Sequence, residues 1–367
     1  MEKVNTKYRL NSIYLNPTRY CNLACRHCWL SPPVGEDRVE YPDELTIAQM
    51  NAIVRSAREA GLSSVKLTGG EPLLRKDIGL FMKECHASGV AVTVETNGTL
   101  IDESMADLMS ECRVEHVAVS LDSRHADVHD RLRGREGAFQ ATVSGIHRLL
   151  SRGLDVQVIM SLYRENLEGF TDFLEFLSGT GVSDVKVNTI TPVGRGEGLH
   201  DQGDVPAVAE VIAFAGSIQQ KRGAFRGKVY MDIPPAFKSI DELKTGGGCS
   251  ACAVKSILGV LSDGRVSLCG IGYMAEGMIF GDLREDPGSI VDIWDNEPVL
   301  KRIRAEMPDS FEGVCGKCVM KSSCLGSCRA EVYHNTGNLM SPYWFCQEAY
   351  EEGLFPRTRL MPEGSTV

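Results

Sequence analysis

Six short apolar segments alternate with longer amphipathic segments between Ser12 and about Asn188. The apolar segments read SIYLN, SVKLT, VAVTVET, HVAVSLD, DVQVIMS and DVKVNT, and they are rich in β-branched residues. The segments between them, such as IAQMNAIVRSAREAG and FTDFLEFLSGTG, space apolar residues by three and four positions and end near a glycine, as amphipathic helices do. Serial βα units of this kind predict an α/β fold, in which a parallel sheet is covered by helices.

Beyond the sixth unit, from 200 to 248, the pattern loosens, and we interpret this stretch as a connecting segment. It contains a predicted helix at VPAVAEVIAFAGSIQQ and a predicted strand at KVYMDIP. The glycines from Gly246 to Gly248 favour a hinge over a phosphate loop, because they follow no strand and precede cysteines.

The charge balance limits the partners of the chain. Its formal net charge is -10, so an anionic membrane surface or a nucleic-acid backbone would be repelled. The first ten residues, MEKVNTKYRL, lack the apolar core of a signal peptide, and no later stretch approaches the roughly 18 apolar residues of a membrane span. We therefore expect a cytoplasmic protein without a nucleic-acid or membrane partner.

The chain has thirteen cysteines, and they fall into two groups. Three lie together near the start, two stand alone, and eight fall between Cys249 and Cys346. Without a signal peptide, such cysteines are more typical of metal ligands than of a disulfide framework. The sequence thus predicts two metal-bearing regions. The isolated Cys85 and Cys112 are interpreted as small buried hydrophobes.

The first group forms a CxxxCxxC motif directly after the first predicted strand, in the sequence TRYCNLACRHCW. A closed zinc site or a standard Cys₄ cluster takes four ligands, so the three thiolates of Cys21, Cys25 and Cys28 indicate a metal with one open position. The alternative is a zinc site completed by His27 or by a distant residue.

A CxxxCxxC motif in this position resembles the radical S-adenosylmethionine (SAM) superfamily, and later motifs match it in order from residue 12 to about 195. The resemblance implies a partial (β/α)6 TIM-like barrel. It also implies that Cys21, Cys25 and Cys28 hold a [4Fe–4S] cluster, whose fourth iron binds the amino and carboxylate groups of SAM. The reduced cluster would cleave SAM to a 5′-deoxyadenosyl radical, which takes hydrogen from the substrate.

Further motifs at the predicted strand ends resemble the SAM contacts of this family. Thr68 to Pro72 resembles its GGEP motif, Glu95 to Gly98 closes the third strand, and SLD at Ser120 is followed by an HDxxRG-like stretch. In the family, Glu71 would meet the methionine amino group, Ser120 the ribose and Arg133 the SAM carboxylate. The implied SAM contacts are Gly69, Gly70, Glu71, Pro72, Asn97, Ser120, Asp122, Arg133 and Met160.

Two alternatives stand beside these assignments. GGEP could be a plain turn, and Arg133 could be a solvated surface residue, since Arg131 and Arg135 are adjacent competitors. Asn188 and the TPVGRG segment, Thr191 to Gly196, also end a predicted strand and could face the cavity.

The second group of cysteines resembles the SPASM domain, an auxiliary iron–sulfur module of peptide-modifying radical SAM enzymes. Its pattern is Cys249-x14-Gly264-x4-Cys269, then Cys315-x2-Cys318-x5-Cys324-x3-Cys328, and finally Cys346. Cys252 adds an eighth thiolate, which is enough for two clusters with four ligands each. The family arrangement implies a nearer cluster on Cys249, Cys252, Cys269 and Cys328 and a farther one on Cys315, Cys318, Cys324 and Cys346.

Two alternatives stay open for this domain. If Cys252 does not bind iron, the nearer cluster has an open iron that could bind substrate. One or two zinc ribbons would also satisfy the thiolate spacing. We expect a radical SAM core over 1–199, a connecting segment over 200–248, and a SPASM domain with two auxiliary [4Fe–4S] clusters over 249–367, giving three clusters in all.

The resemblance implies an enzyme that modifies a ribosomally synthesised peptide or a protein side chain by cross-linking, epimerisation or oxidation. One alternative is a radical SAM enzyme that acts on a tetrapyrrole or another small metabolite, since PVGRG resembles segments of haem-processing relatives. Another alternative is a non-catalytic metal-binding scaffold. The first strand begins near the start of the chain, so we expect direct leader binding or a separate leader-binding protein. Flavodoxin or ferredoxin is the expected electron donor.

Overall fold

The computed structural model describes residues 7–35, 43–244, 252–271 and 274–362. The predicted hinge glycines and Cys249 lie outside these ranges. The strands are β1 Ser12–Leu15, β2 Ser64–Leu67, β3 Ala91–Thr96, β4 His116–Ser120, β5 Val156–Leu162, β6 Asp184–Thr189, β7 Lys228–Asp232, β8 Ile257–Val260, β9 Arg265–Ser267 and β10 Ile279–Asp282.

Sixteen α-helices accompany these strands in the described part of the chain. The helices of the N-terminal half are α1 Ile47–Glu59, α2 Ile78–Ala87, α3 Glu103–Glu111, α4 Ala126–Arg133, α5 Ala138–Ser151, α6 Arg164–Leu167, α7 Phe170–Ser178 and α8 Arg195–Asp201. Those of the C-terminal half are α9 Val208–Lys221, α10 Ile240–Lys244, α11 Ser289–Asn296, α12 Pro298–Glu306, α13 Gly313–Lys317, α14 Lys321–Cys324, α15 Arg329–Thr336 and α16 Trp344–Glu351. Among the described residues, no helix has both the length and the apolar character that crossing a membrane requires.

All six predicted strands are present, and they run parallel as neighbours from β1 to β6. The strand predicted at KVYMDIP is β7, which continues the parallel series beside β6. The predicted α/β fold, a partial TIM-like barrel, is thus confirmed. Its seventh parallel strand comes from the stretch interpreted as connecting structure.

The cysteine-rich part of the chain joins the same sheet. β8 pairs in parallel with β1, with Ser12 opposite Ile257, and β9 and β10 follow in antiparallel fashion. The order in the sheet is therefore β10-β9-β8-β1-β2-β3-β4-β5-β6-β7. Because β8 borders β1, the segment that carries Cys269 is brought beside the loop that carries the first three cysteines.

Alternation along the strands separates an apolar face from a polar one. Val65 and Leu67 of β2 and Val92 and Val94 of β3 are almost completely buried in the main hydrophobic core with the helices. Each such side chain contributes about 1.5–3 kcal/mol through burial. Lys66, between two of them, faces the opposite side, because successive side chains of a strand alternate. The inner face of the barrel is therefore polar.

The two isolated cysteines take the places predicted for them. Cys85 lies in α2 with a thiol only 1% exposed, and Cys112 follows α3 in the same core. Burial raises the pKa of the Cys85 thiol to about 12, so it stays protonated. Both residues act as small hydrophobes.

Candidate active site

Three cysteines lie on the loop that follows β1, called here the cluster loop (residues 16–35). Cys21 and Cys25 are buried and share an apolar cluster with Leu23, against which the half-buried Cys28 packs. The backbone N–H of Leu23 donates to Sγ of Cys21 at 3.4 Å. The structure thus places the three predicted ligands together at the carboxyl end of the sheet.

Burial disfavours the charged form of these thiols in the absence of a bound cation. Burial raises the pKa of the Cys21 thiol to about 12, and nearby Glu71 adds to the rise. Burial also raises the pKa of Cys25, although Arg133 opposes it. Thiolates in this place need a compensating cation, and metal ligation supplies one by removing the proton.

Three thiolates on one loop match the donor set of a cluster with one open iron. In a [4Fe–4S] cluster each thiolate binds an iron of its own. Within the described ranges, no group of three or more His, Cys, Asp or Glu side chains is arranged to hold a metal ion. Cys21, Cys25 and Cys28 would therefore hold such a cluster.

The GGEP segment is joined to the cluster loop by backbone contacts. The N–H of Gly70 donates to the Thr18 carbonyl at 3.2 Å, and that of Glu71 donates to the Tyr20 carbonyl at 2.8 Å. A Cβ on Gly70 would lie 2.0 Å from the Tyr20 oxygen, so only glycine allows this approach. Gly69 has φ +107, which also favours glycine. The segment is more than the plain turn considered as an alternative.

Glu71 fastens the GGEP segment to the segment that closes β3. Its carboxylate accepts hydrogen bonds from the Thr96 hydroxyl at 2.7 Å, the Asn97 N–H at 2.8 Å and the Leu73 N–H at 3.1 Å. Burial raises its pKa to about 7 in spite of these donors. Pro72 then begins a short 3₁₀ turn, Pro72–Leu74. The contact of Glu71 with the SAM amino group remains a prediction.

Asn97 extends this connection to the cysteines. Its Nδ2 donates to Oδ1 of Asn22 in the cluster loop at 2.8 Å and lies 3.9 Å from Sγ of Cys21. The Thr142 hydroxyl donates to the Asn97 carbonyl at 2.8 Å, which ties the segment to α5. Asn97 therefore connects the end of β3 to the cluster loop, next to Cys21.

Arg133 is buried and paired, so the surface alternative for it is wrong. Its Nε and Nη2 donate to the two oxygens of Asp122 at 2.6 and 3.0 Å, and its Nη1 lies 3.9 Å from Sγ of Cys25. Burial alone would raise the pKa of Asp122, but Arg133 and His129 hold it well below its usual range. The competitor Arg131 instead pairs with Glu165 at the surface.

Two other predicted SAM contacts lie on different faces of the sheet. Ser120 is the last residue of β4 and is half-buried. Met160 is fully buried in the hydrophobic core, whereas its neighbour Ile159 lines the interior of the barrel. Because side chains alternate along β5, Met160 faces the helices, which corrects its predicted position.

The C-terminal cysteines assemble in two groups. Burial raises the pKa of the Cys269 and Cys328 thiols, and Cys252 lies close enough to both to add to the rise. The second group lines one pocket and comprises Cys315, Cys318, Cys324 and Cys346. This grouping agrees with the arrangement that the resemblance implies, and it places Cys252 beside the nearer set. Cys249 is outside the described residues.

Comparison with known families decides the identity of these two regions. The radical SAM superfamily matches residues 15–177, and the SPASM family, an iron–sulfur cluster-binding domain, matches residues 249–319. The chain carries a radical SAM domain and a SPASM domain. Its cofactors are therefore SAM and [4Fe–4S] clusters.

Known proteins resemble this radical SAM protein over most of its length. An AdoMet-dependent heme synthase of Methanosarcina barkeri is 28% identical, covering 90% of this chain and 94% of the relative. The mycofactocin maturase MftC of Mycobacterium ulcerans is 26% identical, covering 94% and 90%. The crystal structure of Streptococcus suis SuiB bound to S-adenosylmethionine has the same fold, with a TM-score of 0.70, 18% identity, and coverage of 94% of this chain and 79% of SuiB.

The barrel interior of the radical SAM protein holds a charged cavity that the sequence motifs did not reveal. It measures about 440 Å³ and is lined by residues of β1 to β8, among them Tyr14, Lys66, Glu95, Gln157, Lys186 and Tyr230. The signal was present in the strands, where these polar residues alternate with buried valines and leucines.

Ion pairs organise the charges of this cavity. Lys66 pairs with Glu95, and Lys186 pairs with Asp232 at 2.8 Å. Burial would raise the pKa of Glu95, but Lys66 and Lys186 outweigh it and lower the pKa. The Thr68 hydroxyl donates to Glu95 at 3.0 Å, which links the cavity to the GGEP segment. A polar substrate group entering the barrel would therefore meet fixed charges of both signs.

The PVGRG segment lies against the cluster loop. Gly194 has φ +61, and a Cβ there would lie 2.5 Å from the Trp29 carbonyl oxygen. The backbone N–H of Arg195 donates to the Cys28 carbonyl at 3.0 Å. Asn188, at the end of β6, has a buried Oδ1 for which the described residues supply no donor. The segment that follows β6 thus packs against the part of the cluster loop that carries Cys28.

Proposed function

We propose that this radical SAM protein forms a 5′-deoxyadenosyl radical and uses it to modify a side chain of a ribosomally synthesised peptide or of a protein. One observation carries the proposal. The cluster loop with its three cysteines meets the GGEP segment, the Asn97 segment and the Asp122–Arg133 pair at one end of the sheet. Such convergence provides a single site for a cluster and SAM.

The chain's own residues hold and shape this site. When bound, the [4Fe–4S] cluster and SAM supply the radical chemistry. Cys21, Cys25 and Cys28 would hold the cluster, and the absence of a side chain at Gly70 lets the GGEP backbone approach the cluster loop. Asp122 keeps Arg133 in one orientation beside Cys25. A rigid, largely buried site of this kind shields a radical from water.

The two C-terminal groups of cysteines support the same proposal. Cys249, Cys252, Cys269 and Cys328 would hold the nearer auxiliary cluster, and Cys315, Cys318, Cys324 and Cys346 the farther one. Together with the cluster on the cluster loop, they would bring the total to three. The auxiliary clusters would carry an electron between the substrate and an external flavodoxin or ferredoxin, which permits a net oxidation.

Similarity to the mycofactocin maturase supports a peptide substrate, because that likeness covers 94% of this chain. The cavity of about 440 Å³ is lined in part by the first residues of strands, such as Ser12, His116 and Ile257, whereas the cluster loop follows the carboxyl end of β1. The peptide would therefore lie at the carboxyl ends of the strands, beside the cluster loop. A separate leader-binding protein, or direct leader binding, would position it.

A tetrapyrrole is the second candidate substrate, and one comparison favours it. The AdoMet-dependent heme synthase is 28% identical over 90% of this chain, which is as close as the peptide-modifying relative.

A mass-spectrometric assay separates the two candidates. The reconstituted enzyme is incubated under reducing conditions with SAM and either synthetic peptides that correspond to short open reading frames near its gene or an iron porphyrin. We expect a mass change in the peptide alone, and none with the variant in which Cys21, Cys25 and Cys28 are all alanine. A mass change in the porphyrin alone would replace the first candidate by the second.

A further inference from the structure

Arg195 of the PVGRG segment reaches the backbone of the cluster loop. Its side-chain Nε donates to the carbonyl oxygen of Cys25 at 2.8 Å, and its backbone N–H donates to that of Cys28. Arg195 and Cys25 are 170 positions apart in the sequence. The guanidinium is therefore held at the backbone of Cys25, and the main chain of Arg195 at that of Cys28.

The position of Arg195 is set by the glycines around it. Gly194 and Gly196 leave no room for a side chain, because a Cβ would lie 2.5 Å from the Trp29 carbonyl oxygen or 2.6 Å from that of Thr191. The turn is thus pressed against the cluster loop at the start of α8. Arg195 cannot move away from the loop without displacing this turn.

Arg195, unlike Arg133 and Arg26, has no carboxylate partner among the described residues. Arg133 is neutralised by Asp122, and Arg26 pairs with Asp204 at 2.9 Å. By contrast, Nη2 of Arg195 is buried without a hydrogen-bond partner in the described part of the chain. Arg195 therefore contributes a positive charge near the cluster loop that no ion pair within the described ranges offsets.

An unpaired cation in this place has a direct electrostatic consequence. A cluster held by three thiolates gains one negative charge when a one-electron donor of the flavodoxin or ferredoxin class reduces it. Coulombic attraction to a nearby cation stabilises the more negative state, and partial burial weakens the screening by solvent. Net charge around a cluster is one of the factors that set its potential.

We propose that Arg195 raises the reduction potential of the SAM-binding cluster through its charge and so makes the cluster reducible by the electron donor. The inference rests on the proposed cluster at Cys21, Cys25 and Cys28. In the step concerned, the donor loses one electron and the cluster gains it, and no bond is formed or broken. Arg195 acts through the cluster and is a positioning residue.

The test is a potentiometric titration of the anaerobically purified, reconstituted enzyme, followed by electron paramagnetic resonance. The signal to follow is the one that changes when SAM is added. For Arg195→Gln we expect the equilibrium constant for reduction to fall about tenfold, equivalent to a potential about 59 mV lower for a one-electron couple. Arg195→Lys retains the charge and should keep the wild-type potential. Arg302→Gln, in an exposed ion pair with Glu306 on α12, should also leave it unchanged.

The outcomes distinguish this inference from the proposed function. A wild-type enzyme without a SAM-responsive signal would remove the cluster assignment itself. A signal that titrates at the same potential in wild type and Arg195→Gln would overturn only the role of Arg195. A shift in Arg195→Lys equal to that in Arg195→Gln, or loss of about four irons in Arg195→Gln, would also overturn it, because the hydrogen bond to Cys25 would then matter rather than the charge.

Discussion

Asp122 and Arg133 form a buried bidentate pair, with N–O distances of 2.6 and 3.0 Å, and the free Nη1 of Arg133 lies 3.9 Å from the thiol of Cys25. The carboxylate therefore fixes a guanidinium beside an expected cluster ligand. Any contact between Arg133 and the SAM carboxylate would use donors that this pair leaves free, chiefly Nη1.

The Asp122–Arg133 pair should be essential for stability. In Asp122→Asn, Arg133 keeps its charge in a buried place without a counter-ion, which costs about 3–5 kcal/mol. We expect a markedly lower thermal midpoint and little SAM cleavage. Asp127→Asn is the matched control, since Asp127 is exposed and its contact with Arg131 is 3.7 Å, and it should change stability by less than about 1 kcal/mol. Equal midpoints for the two variants would contradict the role of the pair.

Gly70 should tolerate no side chain. A Cβ at Gly70 would overlap the Tyr20 carbonyl oxygen, so Gly70→Ala must displace the cluster loop. We expect the iron content to fall by about four atoms per chain, as measured by colorimetric iron analysis. Gly216→Ala, in α9 with open space around its Cβ position, should retain all its iron. Full iron in Gly70→Ala would show that the backbone approach is not required.

The raised pKa of Glu71 predicts a pH-dependent stability. Burial raises its pKa from the ordinary 4.5 to about 7, so between these values the folded chain keeps a proton that the unfolded chain releases. The protonated group contributes its whole share to the free energy of unfolding below about pH 4.5. That contribution is lost as the pH rises to about 7, and the total loss is roughly 3 kcal/mol.

Thermal midpoints at pH 5 and pH 7.5 measure this effect. The drop between the two pH values should be smaller in Glu71→Gln than in wild type, because glutamine does not titrate. Glu111→Gln, at an exposed position, should show the wild-type drop. An undiminished drop in Glu71→Gln would mean that Glu71 is not the titrating group.

Much of the fold follows from local patterns, whereas the packing of the site depends on distant contacts. The six strands were predictable because their alternating apolar residues face the helices, as at Val65 and Leu67. The pairing of β1 with β8 joins Ser12 to Ile257. No local pattern specifies such a pairing, since it depends on the folded positions of both segments.

The site shows the same division. The spacing of Cys21, Cys25 and Cys28 indicated the cluster loop, but it gave no sign that Arg195 binds the carbonyl of Cys25 across 170 residues. Met160 was predicted to contact SAM because it lies near the end of a strand. Side chains alternate along β5, however, and this alternation directs Met160 into the core.

Cys252 should be a ligand of the nearer auxiliary cluster. It lies beside Cys269 and Cys328, so Cys252→Ala should alter the resonance spectrum of that cluster or lower the iron content by up to about four atoms. Cys85→Ala removes a fully buried thiol that belongs to the hydrophobic core and should leave both unchanged. An unaltered spectrum and iron count in Cys252→Ala would favour an open iron in the wild-type cluster.

Iron counting combined with SAM cleavage tests the central claim most directly. The wild-type enzyme and the variant with alanine at Cys21, Cys25 and Cys28 are purified without oxygen, reconstituted and reduced. The account predicts about twelve irons per wild-type chain, about four fewer in the variant, and 5′-deoxyadenosine from the wild type alone. Zinc in place of iron, or no SAM cleavage by the wild type under strong reductant, would contradict it.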